Sequence, residues 1–269
     1  MGCVDSREET QSTSQSAESK KPEPQLIGEY LYSLTEKSLG FDKILSRELD
    51  NLFHRYSYAS EISEENFKKV SIKLKIDLST VAVFFDQFKE KSANGMKLAM
   101  YNTIKLSTLG ILLGKCDEME KARMLFRNYD PDTEQILRIE TVIAMIRDIL
   151  FVCLEAIPKY AVVLYPDDTK LKSQSNRLCS LQKSVSVHFV LIMLKKRQFI
   201  TYEQFLQCFS DEEIRILLNP EVLRKHCVDI GFKLRRVECS TSASPITPES
   251  AQIKGSSIDK NFRRASTTL

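Results

Sequence analysis

The chain has 269 residues, enough for one large domain or two small ones. It contains only 8 glycines and 8 prolines and no tryptophan, a composition that favours helices over a β-sandwich or barrel. The formal net charge of +3 is too small to indicate nucleic-acid binding, so no nucleic-acid partner is expected.

The cysteines, 7 in all, are scattered and include no CxxC pair, so the sequence indicates neither a zinc site nor a redox motif. The N-terminus is polar, and no secretory signal is expected. The longest apolar stretch, VSVHFVLIML, has about half the length that spanning a bilayer requires. These features predict a reducing, cytosolic environment.

The N-terminus, MGCVDS, matches the N-myristoylation pattern, with Gly2 as the acceptor and Ser6 in the Ser/Thr position. One myristoyl chain binds a membrane only weakly, so a second signal is needed. The first 25 residues are slightly acidic and will not attract an anionic leaflet, whereas Cys3 is adjacent to Gly2. We therefore expect myristate on Gly2 and palmitate on Cys3. Residues 1–25 would then be a disordered tether to the cytoplasmic face of a membrane.

Between the polar ends, apolar residues recur at the three-and-four spacing of amphipathic helices. The segment FDKILSRELDNLFHRY is the first of these predicted helices. Ser63 is expected to cap the next one, with Asn66 where Glu or Gln would complete a capping box. Asp77 or Ser79 is expected to cap the one after that. A unit of short helix, polar loop and short helix recurs along the chain, which predicts an all-α fold.

The segment MLFRNYDPDTEQILRIETVIAMI carries the most specific pattern. After a helix that ends in aromatic residues, Asp130, Asp132 and Glu134 stand at alternate positions. Leu137 stands at the eighth place, and a second apolar helix follows. In an EF-hand, alternate oxygen ligands surround a hard cation, and the hydrophobic eighth residue pairs with the partner hand through a short strand. The segment therefore resembles an EF-hand.

Other segments fit the same frame, with Ile62 and Ile200 in the hydrophobic slots of a first and a fourth hand. Order and spacing over about residues 40–220 resemble the neuronal calcium sensor and calcineurin B-like families, which also carry an N-terminal myristoyl signal. The resemblance implies EF-hand-like paired helix-loop-helix units, with Leu137 paired with Ile200. An N-terminal pair would span 26–125 and a C-terminal pair 115–222, with a disordered tail at 237–269.

Family membership implies calcium binding, and the third loop is the candidate. Its metal ligands would be Asp130, Asp132, Glu134, the Ile136 carbonyl and, if the loop were reshaped, Glu140. However, Gln135 replaces the usual glycine, which costs about 1 kcal/mol of strain. Arg138 adds a positive charge at the ninth position, and Thr141 removes the bidentate carboxylate at the twelfth. We expect Ca²⁺ binding that is weak and confined to this loop.

The other loops are expected to bind no calcium. The fourth loop carries Lys195, Lys196 and Arg197 where acidic ligands should be, and these cations repel a divalent ion. The first loop lacks acids at its start, and the second offers Lys89, Lys91 and Ala93.

Paired EF-hands open a hydrophobic groove that holds an amphipathic helix of a partner protein. Residues with the character to line such a groove are Phe84, Phe85, Phe88, Met100, Ile104, Leu109 and Leu112. The alternative is that these side chains belong to the core.

The C-terminal RRASTTL has two overlapping interpretations. Two arginines before Ser266 match a basophilic kinase site of the cAMP-dependent type, and Thr267 and Leu269 have the spacing of a class I PDZ-domain ligand. A phosphate on Ser266 would then change PDZ binding.

No nucleophile, base or phosphate-loop motif is found in the sequence, so we expect no enzymatic activity. His188 lies in an apolar stretch and is expected to be a satisfied core residue. The first hypothesis is a membrane-tethered EF-hand-like regulatory adaptor, and the alternative is a calcium sensor acting through the Asp130 loop. A third is a helical protein without EF-hand kinship.

Overall fold

In a computed structural model of the chain, residues 24–91 and 99–241 are described, with side chains at 28–90 and 99–230. The fold is mostly helical, which agrees with the all-α prediction at the coarse level, and it also contains two small sheets. The acylation residues Gly2 and Cys3 and the tail residues Ser266, Thr267 and Leu269 lie outside the described residues.

The helices of the first half are α1 Pro24–Ser38, α2 Ser46–Arg55, α3 Glu64–Leu74, α4 Leu78–Phe85 and α5 Thr103–Leu113. Those of the second half are α6 Glu118–Tyr129, α7 Ile139–Phe151, α8 Ile157–Leu164, α9 Thr169–Leu194, α10 Tyr202–Cys208, α11 Glu212–Arg215 and α12 Pro220–Thr241. Single 3₁₀ turns lie at Phe41–Lys43, Asp86–Phe88 and Ile216–Leu218.

Short strands join the loops in two small sheets. They are β1 Glu61–Ile62, β2 Lys89–Lys91, β3 Ala99–Asn102, β4 Ile136–Arg138 and β5 Phe199–Thr201. The first sheet has the order β1-β3-β2, and Ile62 lies opposite Tyr101 in its antiparallel register. In the second sheet β4 is antiparallel to β5, and Leu137 lies opposite Ile200. Each sheet therefore joins segments that are far apart in the chain, β1 after α2 with β3 before α5, and β4 after α6 with β5 before α10.

Local capping explains where several helices begin. The Ser63 hydroxyl accepts a hydrogen bond from the Asn66 backbone N–H at 3.2 Å, as expected. The Asn66 side chain donates to the Tyr56 carbonyl instead of closing a capping box. Asp77, not Ser79, caps α4, because its carboxylate accepts from the Ser79 N–H at 3.0 Å. Thr201 and Gln204 form a complete capping box at α10.

The single helix predicted over FDKILSRELDNLFHRY is wrong, because the chain is extended at Ile44 between a 3₁₀ turn and α2. There the backbone pairs with Lys115, whose N–H donates to the Ile44 carbonyl at 2.8 Å and whose carbonyl accepts from the Ser46 N–H at 3.2 Å. This contact with a distant residue satisfies the backbone groups that a continuous helix would have paired.

A π turn at Val152–Ala156 connects α7 to α8 without a break in helical backbone. Pro158 follows it and has no N–H to donate to the carbonyl of Leu154, four residues earlier. The wider π turn around Leu154 accommodates the proline ring, which would clash in a regular α-helix.

One cluster of buried apolar residues runs through both halves of the described chain. Aromatic rings connect the two halves, since Phe84 lies 5.1 Å from Tyr160 and Phe88 lies 5.3 Å from Phe151 between ring centroids. The described residues of the first compact unit, which ends at Phe232, therefore share one core. The second unit is Lys233–Leu269, of which the structure describes the C-terminal end of α12.

Within the described residues, α9 is long and apolar enough to cross a membrane by length and composition, and 44% of that window is buried inside the fold. It packs against α7 and α8. The described cysteines, Cys116, Cys153, Cys179, Cys208 and Cys227, are free thiols.

Candidate functional site

The third loop, which connects α6 to β4, is organised around Asp130. This side chain is 8% exposed. One carboxylate oxygen accepts from the Glu134 N–H and the other from the Gln135 N–H, both at 3.0 Å. The Asp130 carboxylate therefore satisfies the backbone of its own loop, as an N-capping aspartate does.

The remaining candidate ligands face other partners or solvent. Glu134 forms an ion pair with Arg138 at 3.2 Å, and both side chains are exposed. Asp132 and Glu140 are exposed, and Ile136 lies in β4 opposite Thr201. Within the described chain, the third-loop carboxylates do not form a close three-ligand cluster.

The loop backbone includes residues in the left-handed region, with φ of 57° at Thr133 and 60° at Gln135. Gln135 occupies the position where an EF-hand has glycine, and a side chain there is sterically strained. The turn that glycine normally permits is therefore made here by a residue that disfavours it.

The fourth loop presents positive charge instead of ligands. Lys195, Lys196 and Arg197 are exposed between α9 and β5, and Lys195 and Lys196 have φ of 46° and 70°. The first loop similarly turns through Ala59 and Ser60 at φ of 50° and 61°. Ala93 of the second loop lies outside the described residues.

A chain of polar side chains connects α2, α5, α6 and α7. The sequence analysis did not identify it. His54 Nε2 on α2 lies 3.1 Å from Asn128 Oδ1 on α6, and Asn128 donates to the Thr108 hydroxyl at 3.3 Å. The Thr108 and Tyr129 hydroxyls are 3.1 Å apart, and Tyr129 donates to Asp148 at 2.7 Å. Sequence spacing gave no signal for it, because its members come from α2, α5, α6 and α7.

Both ends of this polar chain have shifted pKa values. The hydrogen bond that the His54 imidazole donates to the Asp50 carboxylate raises the pKa of His54. Burial raises the pKa of Asp148 to about 6, against the lowering effects of Tyr129 and Lys105.

The residues expected to line a partner groove lie mainly in the core. Phe84, Phe85, Phe88, Leu109 and Leu112 are buried, and Ile104 packs against them. These side chains therefore follow the alternative of a core position, in which α4 packs against α8 and α5 packs against the π turn at Val152–Ala156.

An open groove of about 590 Å³ lies instead between α7 and α9. Its floor includes Ile143, Phe151 and Val190, and Val187 and Leu191 on α9 are 56% and 62% exposed at its edge. Charged residues that line it are Lys105, Arg147, Asp148, Glu155 and Lys183, of which Asp148 is largely buried.

One group of metal-binding side chains exists within the described residues, and it lies away from the loops. It consists of His188, Glu213 and His226, whose ligand atoms are within 4.8 Å of one another. His188 is half-buried and paired with Glu213, which differs from the core position expected for it.

Comparison with known proteins gave no family model, no curated protein and no solved structure that matches this chain.

Proposed function

We propose that this protein is a non-enzymatic regulatory adaptor of the EF-hand-like kind, tethered to a membrane by its acylated N-terminus. Its groove binds an amphipathic helix of a partner without requiring calcium. The observation that carries the proposal is in the third loop, where both oxygens of the Asp130 carboxylate accept hydrogen bonds from backbone amides of the loop itself. The β4–β5 pairing of Leu137 with Ile200 supports the kinship with paired EF-hands.

Within this proposal the loops are structural. A calcium loop needs several oxygens directed at one point. In the third loop Glu134 is instead paired with Arg138, and the fourth loop carries three positively charged side chains. The β-pairing and the common core hold the helices in place instead of the ion.

The partner-binding surface in this proposal is the α7–α9 groove. Val187, Val190 and Leu191 follow one another at helical spacing along α9, next to Ile143 and Phe151. Arg147 and Lys183 at the rim favour a partner helix with an apolar stripe and acidic flanks.

A site-specific photo-crosslinker tests the groove in cells. Placed at Leu191, it should give an adduct of one defined mass, and the yield should be the same with a calcium chelator. The matched control is Val83 on α4, which is 56% exposed and lies outside the groove. Equal adducts at both positions, no adduct at Leu191, or an adduct that needs calcium would contradict the proposal.

Calorimetric titration with calcium separates the adaptor from the calcium-sensor alternative. The adaptor predicts no micromolar binding event by the full chain. A micromolar event that Asp130→Ala abolishes would favour the sensor, since Asp130 is the first ligand of its loop.

Membrane tethering is tested separately with Gly2→Ala. Loss of the myristoyl acceptor should move the protein from the membrane fraction to the cytosol. Retention of Gly2→Ala at the membrane would contradict dual acylation and would leave the groove test unaffected.

A further inference from the structure

The sequence has 3 histidines, and two of them, on α9 and α12, meet a glutamate on α11. His188 lies in α9, Glu213 in the first turn of α11 and His226 in the second turn of α12. His188 Nε2 is 2.9 Å from a Glu213 carboxylate oxygen. One ligand atom from each of the three residues falls within 4.8 Å of the others.

The surrounding residues hold these side chains in position. The Asp211 carboxylate caps α11 by accepting from the Glu213 N–H at 3.0 Å, which fixes the turn that carries Glu213. The buried ring of Phe189 lies 5.6 Å from His188 and 6.2 Å from His226 between centroids. Leu223 and Cys227 are fully buried on α12 and anchor the helix on either side of His226.

The ligand set selects the metal. Two imidazoles and one carboxylate are typical ligands for Zn²⁺, whereas Ca²⁺ takes oxygen ligands throughout. In a tetrahedral site with Zn–N and Zn–O distances of about 2.0–2.2 Å, ligand atoms lie roughly 3.3 Å apart. The observed separations, from 2.9 Å to within 4.8 Å, span this value. His188 and Glu213 are 31% and 41% exposed, which gives an ion a path in from solvent.

We propose that His188, Glu213 and His226 form a Zn²⁺ site that joins α9, α11 and α12. Three protein ligands leave the fourth coordination position to water or to a side chain of a bound partner. The site is independent of calcium and of the α7–α9 groove. When zinc is bound, it would fasten α12 to α9 and α11.

Zinc binding by the full chain, stripped of metal and measured by competition with a chromophoric chelator, tests the proposal. The expected result is one Zn²⁺ per chain in the wild type and in His54→Gln, which removes the histidine outside the cluster. His188→Gln, Glu213→Gln and His226→Gln should each weaken binding at least about tenfold. No binding by the wild type, or equal loss in His54→Gln, would overturn it.

Cobalt substitution distinguishes this site from the cysteines. The Co²⁺ complex should show tetrahedral visible bands without thiolate-to-cobalt charge transfer, and a thiolate band would overturn the assignment. Zn²⁺ that saturates the wild type should also raise the thermal midpoint of the wild type and His54→Gln by several degrees and raise that of Glu213→Gln by less. Glu213→Gln preserves side-chain shape at a half-exposed position, so it tests metal ligation in a folded protein.

Discussion

Gln135 holds a backbone conformation that glycine adopts without steric cost, with φ of 60°. We expect Gln135→Gly to increase the free energy of unfolding by about 0.5–1 kcal/mol, because relief of the left-handed strain exceeds the added entropy of the unfolded chain. Urea unfolding measures the change. Gln198→Gly is the control, since the φ of Gln198 is not positive, and it should bring no gain. A loss of stability in Gln135→Gly would contradict the strain.

Asp148 shows the cost of a carboxylate placed in the core. Burial raises its pKa from 3.8 to about 6, so the folded state favours the protonated form. Its stabilising contribution is present below pH 3.8 and is lost as the pH rises through about 6. Asp148→Asn, which cannot ionise, should therefore gain about 1–3 kcal/mol relative to the wild type between about pH 4 and about pH 8. Urea titrations at several pH values measure this, and a constant difference would contradict it.

In the third loop, the Asp130 carboxylate is a structural acceptor for the backbone. Asp130→Ala removes the acceptor for the Glu134 and Gln135 amides and should lower the free energy of unfolding by about 1–3 kcal/mol. The loss should be the same with calcium and with a chelator. Asp132→Ala, on an exposed side chain of the same loop, should change stability by less than about 0.5 kcal/mol. A loss that appears only with calcium would point to the sensor.

The helices could be predicted from sequence where an apolar stripe meets a local capping residue. Ser63 before α3 and Asp77 before α4 are such cases, because their hydrogen bonds join residues two or three positions apart. The break at Ile44 was missed because it depends on Lys115, a distant residue. The C-terminal end of α12 was assigned to the tail because polar and charged residues are frequent there, while the helix continues to Thr241.

The candidate sites were predictable to a smaller extent. Leu137 and Ile200 were placed at equivalent loop positions from the resemblance, and they are partners in the β4–β5 register. The His188 cluster could not be found in this way, since its members come from three helices and no spacing rule connects them. Apolar spacing identifies buried faces without showing which helix covers them, so it could not separate a groove from the core at Phe84, Phe85 and Phe88.

At the scale of the whole molecule, Arg224 joins the last described helix to the first. Its side chain is 1% exposed and donates to Glu29 at 2.8 Å and to Glu36 at 2.7 Å, both on α1. The guanidinium also lies over the ring of Tyr32 at 5.2 Å. A buried charge with two carboxylate partners is costly to disrupt, because the remaining partners stay desolvated.

Arg224→Met should accordingly destabilise the protein by about 3–5 kcal/mol in urea unfolding, because Glu29 and Glu36 would remain without their cation. Adding Glu29→Gln and Glu36→Gln to this variant should restore much of the loss, which separates the charge effect from packing. Lys225→Met removes an exposed ion pair with Glu221 and should cost less than about 1 kcal/mol. A small effect of Arg224→Met on the free energy of unfolding would show that the Arg224 cluster contributes little to stability.

The Arg224 cluster also sets the order of events during translation. Glu29 precedes Arg224 by 195 residues, so at a typical elongation rate the two acids of α1 leave the ribosome about 10–40 s before their cation. After α8 and α9 have emerged and until Arg224 follows them, α1 can pack against these helices only with unneutralised carboxylates at the contact. The docking of α1 is therefore completed last, when nearly all of the polypeptide has been synthesised.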